Sequence, residues 1–123
     1  MPNLHELFTN PAVESFGTAL RFAIGKRKRS GEEDEYSGGE DYASLIEFEY
    51  AEDMAQFINA LKKFLRRYDA YARRYERENP GKTAFRPSEK DLDELVKLAS
   101  EYGVKNVCAA IISHALVRPY KEE

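Results

Sequence analysis

Seven cations crowd into residues 62–77: Lys62, Lys63, Arg66, Arg67, Arg73, Arg74 and Arg77, against two acids, Asp69 and Glu76. At 100° per residue on a helix, all seven fall within a sector of about 140°, and both acids lie outside it. The stretch carries net +5 in a chain whose formal net charge is −3, which leaves −8 for everything else. A one-signed face of this kind binds anions. Arg supplies planar, bidentate donors to phosphate and also stacks on bases. Like charges three and four residues apart repel, so a helix selected for stability alone would interleave acids. Two readings follow. The face is a track roughly 20 Å long for a sugar-phosphate backbone, or it is a solvated face partnered by acids elsewhere, such as Glu32–Glu35 or Glu47 and Glu49.

A second basic run, Lys26, Arg27, Lys28 and Arg29, is followed directly by the acidic run Glu32 to Glu35. Basic segments without fixed structure often order on nucleic acid. The alternative is a solubilising loop whose acidic half neutralises its basic half.

Other reactive residues do not assemble into a known chemistry. Cys108 and His114 sit in one apolar stretch with no nearby carboxylate, which fits a buried thiol and a structural histidine. His5 stands alone near the start, so the two histidines offer no metal-ligand spacing. No phosphate-binding glycine loop, zinc pattern or catalytic carboxylate pair is present. The expectation is a non-enzymatic protein with no catalytic residue, no metal and no cofactor. Tyr68, Tyr71 and Tyr75 line one edge of the basic segment, where they either pack in the core or reach a base.

The elements that position these residues read mainly as helices. The 123 residues, 42% hydrophobic and 33% charged, suit a single domain with its own core. Asn10-Pro11 starts one helix as cap and first residue, and Gly25 ends it; residues 3–8 add a short turn of helix before it. Residues 26–41 are charged and punctuated by Gly and Ser, and read as a mobile loop. YASLIEFEY, residues 42–50, alternates partly as a strand does, with Tyr42, Ile46, Phe48 and Tyr50 on one face; it is an edge piece, a short hairpin or an extended connector. The longest helix spans 53–78 and stops before Asn79-Pro80-Gly81. Within it, Met54, Phe57, Leu61, Phe64 and Tyr68 belong to an apolar sector opposite the cations. Ser88 caps another helix, Gly103 ends it, and a last helix runs from Val104 to Val117. That last helix is apolar nearly all round, so it is either central or meets another subunit. The fold class expected is all-α, a small helical bundle with a short strand or hairpin near 42–50.

No apolar run is long enough to span a membrane, and MPNLHELF lacks the pattern of a signal peptide, so a cytoplasmic location is expected. A single cysteine excludes an intramolecular disulfide. The richness in Lys, Arg and Glu leans toward a thermophilic source.

Three stretches carry a resemblance: TALRFAIG at 18–25, YASLIEFEYAEDMAQFINALKKFLRRYDAYARRY at 42–75, and PSEKDLDELVKLASEYGVKNVCAAIISHALV at 87–117. With the variable charged loop between the first two, they resemble the small subunit of the archaeal type I-A CRISPR interference complex, the Cascade small-subunit family. Small helical subunits of type III complexes look similar. The resemblance implies a non-catalytic subunit of antiviral defence, present in several copies. Its implied partners are the other subunits of the effector complex, the guide RNA and the target DNA, including the displaced strand. Phosphate binding without sequence preference would leave specificity to guide pairing. The acidity of the whole chain departs from a stand-alone nucleic-acid binder and suggests that avidity comes from assembly. The competing expectation is a protein-interaction module whose basic face docks an acidic partner and whose last helix self-associates.

Overall fold

The computed structural model describes residues 3–24 and 42–116. Six helices follow one another in these residues: α1 (Leu4–Phe8), α2 (Pro11–Ile24), α3 (Tyr42–Tyr50), α4 (Met54–Glu78), α5 (Glu89–Tyr102) and α6 (Val104–Leu116). They form a small all-α bundle, with no strand among the described residues. The expected mobile loop at 26–41, with Lys26, Arg27, Lys28 and Arg29, lies outside the described residues.

Local signals start and stop these helices. The Asn10 side chain accepts from the Ala12 amide at 2.8 Å, and the Asn3 side chain caps α1 in the same way. Asp53 and Gln56 form a capping box at α4, and Ser88 and Asp91 form one at α5. Each box satisfies two amides that the first turn leaves without a helical partner. Gly103, at φ 99°, separates α5 from α6, a backbone conformation that other residues adopt only with strain.

Residues 42–50 are a helix, which corrects the strand or hairpin expected there. Ser44 and Phe48, four residues apart, are the two buried positions of α3. Tyr42, Ile46 and Tyr50 recur at the same interval and stay exposed on the outer side. The alternation in the sequence fits both periods. A lone strand would leave its backbone groups without partners, whereas a helix satisfies them internally.

The core forms where α2 crosses α6, joined by Phe48 of α3, Phe57, Leu61 and Phe64 of α4, and Leu95 of α5, all fully buried. Phe64 packs its ring on Phe16, Phe48 and Tyr68 at centroid distances of 5.6–6.0 Å. Such a cluster adds directional contacts of about 0.5–1.5 kcal/mol per pair beyond area burial. The last helix, α6, is central: α1, α2, α3 and α5 of its own chain pack around it. Arg21 donates to the Ala115 carbonyl at 3.2 Å, covering one of the C-terminal carbonyls of α6.

Candidate nucleic-acid interface

α4 presents the basic sector because its other side is taken. Phe57, Ala60, Leu61, Phe64, Tyr68 and Ala72 are buried, so the cations must point the other way. Tertiary contacts then divide the seven into two groups. Lys62, Arg66, Arg73 and Arg77 are exposed and occupy about 60° of the wheel. Lys63, Arg67 and Arg74 are half-buried and lie on the flank that turns toward α3.

That flank is already engaged by α3. Arg67 donates to the buried Ser44 hydroxyl at 2.9 Å and pairs with the Glu47 carboxylate at 3.3 Å. Lys63 lies 3.7 Å from the same carboxylate. Glu47, one of the acids raised in the sequence as a partner, therefore neutralises part of the face. These contacts fasten α3 to α4 and give Arg67 a structural task.

The other four form a ridge. Lys62, Arg66 and Arg77 make no ion pair among the described residues, whereas Arg73 pairs with Asp69 at 2.9 Å across one helical turn. An exposed pair at this spacing contributes only about 0.3–0.5 kcal/mol, so Arg73 stays available to a stronger anion. From Lys62 to Arg77 the ridge runs roughly 22 Å at 1.5 Å per residue.

The opposite edge of the ridge is closed by a residue with no periodic signal in the sequence. Arg86, from the segment before α5, donates to Glu76 at 2.6 Å and lies 3.6 Å from Asp69. The Arg86 hydrogen bond, followed by the Ala84 amide, holds the Glu76 carboxyl down at about 2. Glu76 is thereby held by Arg86, and Asp69 is shared between Arg86 and Arg73. Of the two, Asp69 still draws on the ridge through Arg73.

The tyrosines on α4 serve packing. Tyr68 is buried, and its hydroxyl donates to the Phe85 carbonyl at 2.7 Å. Burial pushes that phenol up to about 12. Phe22 receives both Tyr68 and Tyr75 edge-on at 5.7 Å, and Tyr71 packs partly buried against the core.

Cys108 and His114 share α6 but not a site. Burial raises the Cys108 thiol to about 12, so at neutral pH it is a protonated core residue. The His114 ring stacks on Phe8 at 4.4 Å, and its Nε2 meets the Phe8 carbonyl at 2.6 Å, fastening α1 to α6. Among the described residues no three or more His, Cys, Asp or Glu side chains come together around a common point. No helix among them is long and apolar enough to cross a membrane.

No family model matches the chain, and no solved structure matches it. An uncharacterized protein of Archaeoglobus fulgidus is 45% identical over 120 residues, covering 98% of this chain and 88% of that relative. At that identity over nearly the full length, the chain belongs to the same protein family as the Archaeoglobus fulgidus protein.

Proposed function

We propose that this protein is a non-catalytic small subunit of a CRISPR RNA-guided interference complex in archaeal antiviral defence. In this reading it holds a nucleic-acid backbone on the ridge of α4. The observation that carries the binding half is the ridge itself: four exposed cations in line, with the neighbouring Glu76 held by Arg86 and Asp69 shared between Arg86 and Arg73. A phosphate backbone presents anions in a row, and each one neutralised releases condensed counterions. The place in a CRISPR complex rests on the resemblance of residues 18–25, 42–75 and 87–117. It implies effector subunits, guide RNA and target DNA as partners, and several copies side by side. Weak binding by one copy then becomes strong along an array.

The test is a salt titration of binding to single-stranded DNA. If the four ridge cations each neutralise one phosphate, log K falls against log salt with a slope near −3, at about −0.7 per contact. A Lys62→Glu, Arg66→Glu, Arg77→Glu variant shows a shallower slope and loses affinity equally for unrelated sequences. Purification of the native protein brings effector subunits and guide RNA with it. A variant that binds as well as the parent, alone and in its complex, would return the ridge to a solvated face or to an acidic protein partner.

A further inference from the structure

The outer side of α3 carries a row of large side chains that the described fold leaves half exposed or more. Tyr42 and Ile46 are each 50% exposed and Tyr50 is 67% exposed. They follow at intervals of four residues, hence on one side of the helix and about 6 Å apart. The turn at 51–53 sends α4 back along α3, as the contacts of Glu47 with Lys63 and Arg67 record. The row and the ridge thus flank the same helix pair, with the Glu47–Lys63–Arg67 contacts between them. At the turn end Tyr50 meets Gln56, Asn59 and Lys63 around an open hollow of about 230 Å³.

We infer that Tyr42, Ile46 and Tyr50 form a stacking platform for the bases of a single DNA strand whose phosphates run along the α4 ridge. This rests on the reading of the ridge given above. Three observations select the occupant. The row lies beside a cationic ridge, where an acidic or phosphate-bearing partner is favoured. Its steps of about 6 Å exceed the roughly 3.4 Å rise per nucleotide of a duplex strand, so it suits a strand drawn out with its bases apart. Two of its three members are aromatic faces, on which bases of any identity stack. At the turn end, the Gln56 amide nitrogen offers a donor and the Asn59 amide a donor and an acceptor to one base edge, the Gln56 oxygen being held by the Glu52 and Asp53 amides. Ile46, in the middle, offers nothing to a ribose 2′-hydroxyl, which would lose its water uncompensated, so deoxyribose fits better.

The experiment measures binding of the full chain to labelled oligothymidylate, the same strand made abasic, oligouridylate and duplex DNA, each across a salt series. The parent binds oligothymidylate more tightly than any of the other three. Replacing both Tyr42 and Tyr50 by Ala weakens oligothymidylate binding by about tenfold or more, leaves the abasic strand unaffected and leaves the salt slope unchanged. Replacing both by Phe keeps the ring faces and keeps the affinity, and thermal melts of both variants match the parent. Equal binding of normal and abasic strands, with a slope that still depends on Lys62 and Arg66, overturns the platform and leaves the ridge standing. Oligouridylate bound as tightly as oligothymidylate overturns the preference for DNA. A tyrosine pair whose loss changes only self-association makes the row a contact between protein copies, which also overturns the inference. Absence of salt-dependent binding to every strand defeats the ridge reading, and the platform with it.

Discussion

Gly17 of α2 faces His114 of α6 so closely that a Cβ built on the glycine would stand 2.3 Å from the His114 Cβ and 3.2 Å from the Ile111 carbonyl oxygen. The obstacle is the root of a side chain and a helix backbone, neither of which can turn aside. The two central helices cross here because one of them has no side chain at the crossing. Their separation in turn positions Phe16 against Phe64, and hence α4.

Gly17→Ala should therefore destabilise the fold, although alanine favours helices. The overpacking penalty of about 1–3 kcal/mol exceeds the gain of roughly 1 kcal/mol from replacing a mid-helix glycine. Urea denaturation of the two proteins measures the difference, and an unchanged or raised midpoint would refute the close crossing.

The ridge and its flank should separate in a charge-reversal series. Arg66→Glu and Arg77→Glu touch no ion pair among the described residues and should alter stability by no more than about 0.5 kcal/mol. Arg67→Glu places a carboxylate beside Glu47 and removes the donor to buried Ser44. It should cost about 1–3 kcal/mol. Thermal melts rank the three, and equal melting of all of them would contradict the division of the face.

The Glu76–Arg86 contact gives the fold an acid limb. The folded carboxyl ionises at about 2, against 4.5 as its ordinary value. Its contribution is therefore fully present above about pH 4.5 and is lost as the pH falls from there toward 2. Glu76→Gln should flatten the stability profile across that window and leave the shape of the neutral-to-alkaline side unchanged, as followed by urea midpoints at successive pH values.

Tyr68 provides the alkaline counterpart. The folded phenol holds its proton to about 12, and the unfolded one releases it near 10.0. Between those values the unfolded chain binds fewer protons, so stability declines as the pH rises. Tyr68→Phe should remove this share of the decline, while losing about 1 kcal/mol at neutral pH with the hydrogen bond to the Phe85 carbonyl.

Cys108 should resist thiol reagents in the native protein. It is buried, and its thiol is raised to about 12, so almost no thiolate exists at neutral pH. Labelling at neutral pH should track global unfolding across a urea series; rapid labelling without urea would place the thiol at the surface.

The parts of this protein that were legible in its sequence are those governed by neighbours within a turn or two of helix. Asn10 and Ser88 cap the helices they precede because a capping side chain reaches only two or three residues along its own chain. The cations of residues 62–77 share one face because helical geometry alone places them there. Residues 42–50 were ambiguous for the same reason: their apolar spacing satisfies both periods, and the decision lay with the core, which takes Ser44 and Phe48 and leaves Tyr42, Ile46 and Tyr50 outside, a division that a helix makes and a strand, with all five on one face, does not. Only the tertiary structure decided which cations remain available. Glu47, some twenty residues away, claims Lys63 and Arg67, and on the other edge Arg86 holds Glu76 and shares Asp69 with Arg73. An ion pair depends on distance in space, which the order of residues does not specify across separate helices; packing of α3 against α4 sets it here, leaving Lys62, Arg66, Arg73 and Arg77 as the ridge.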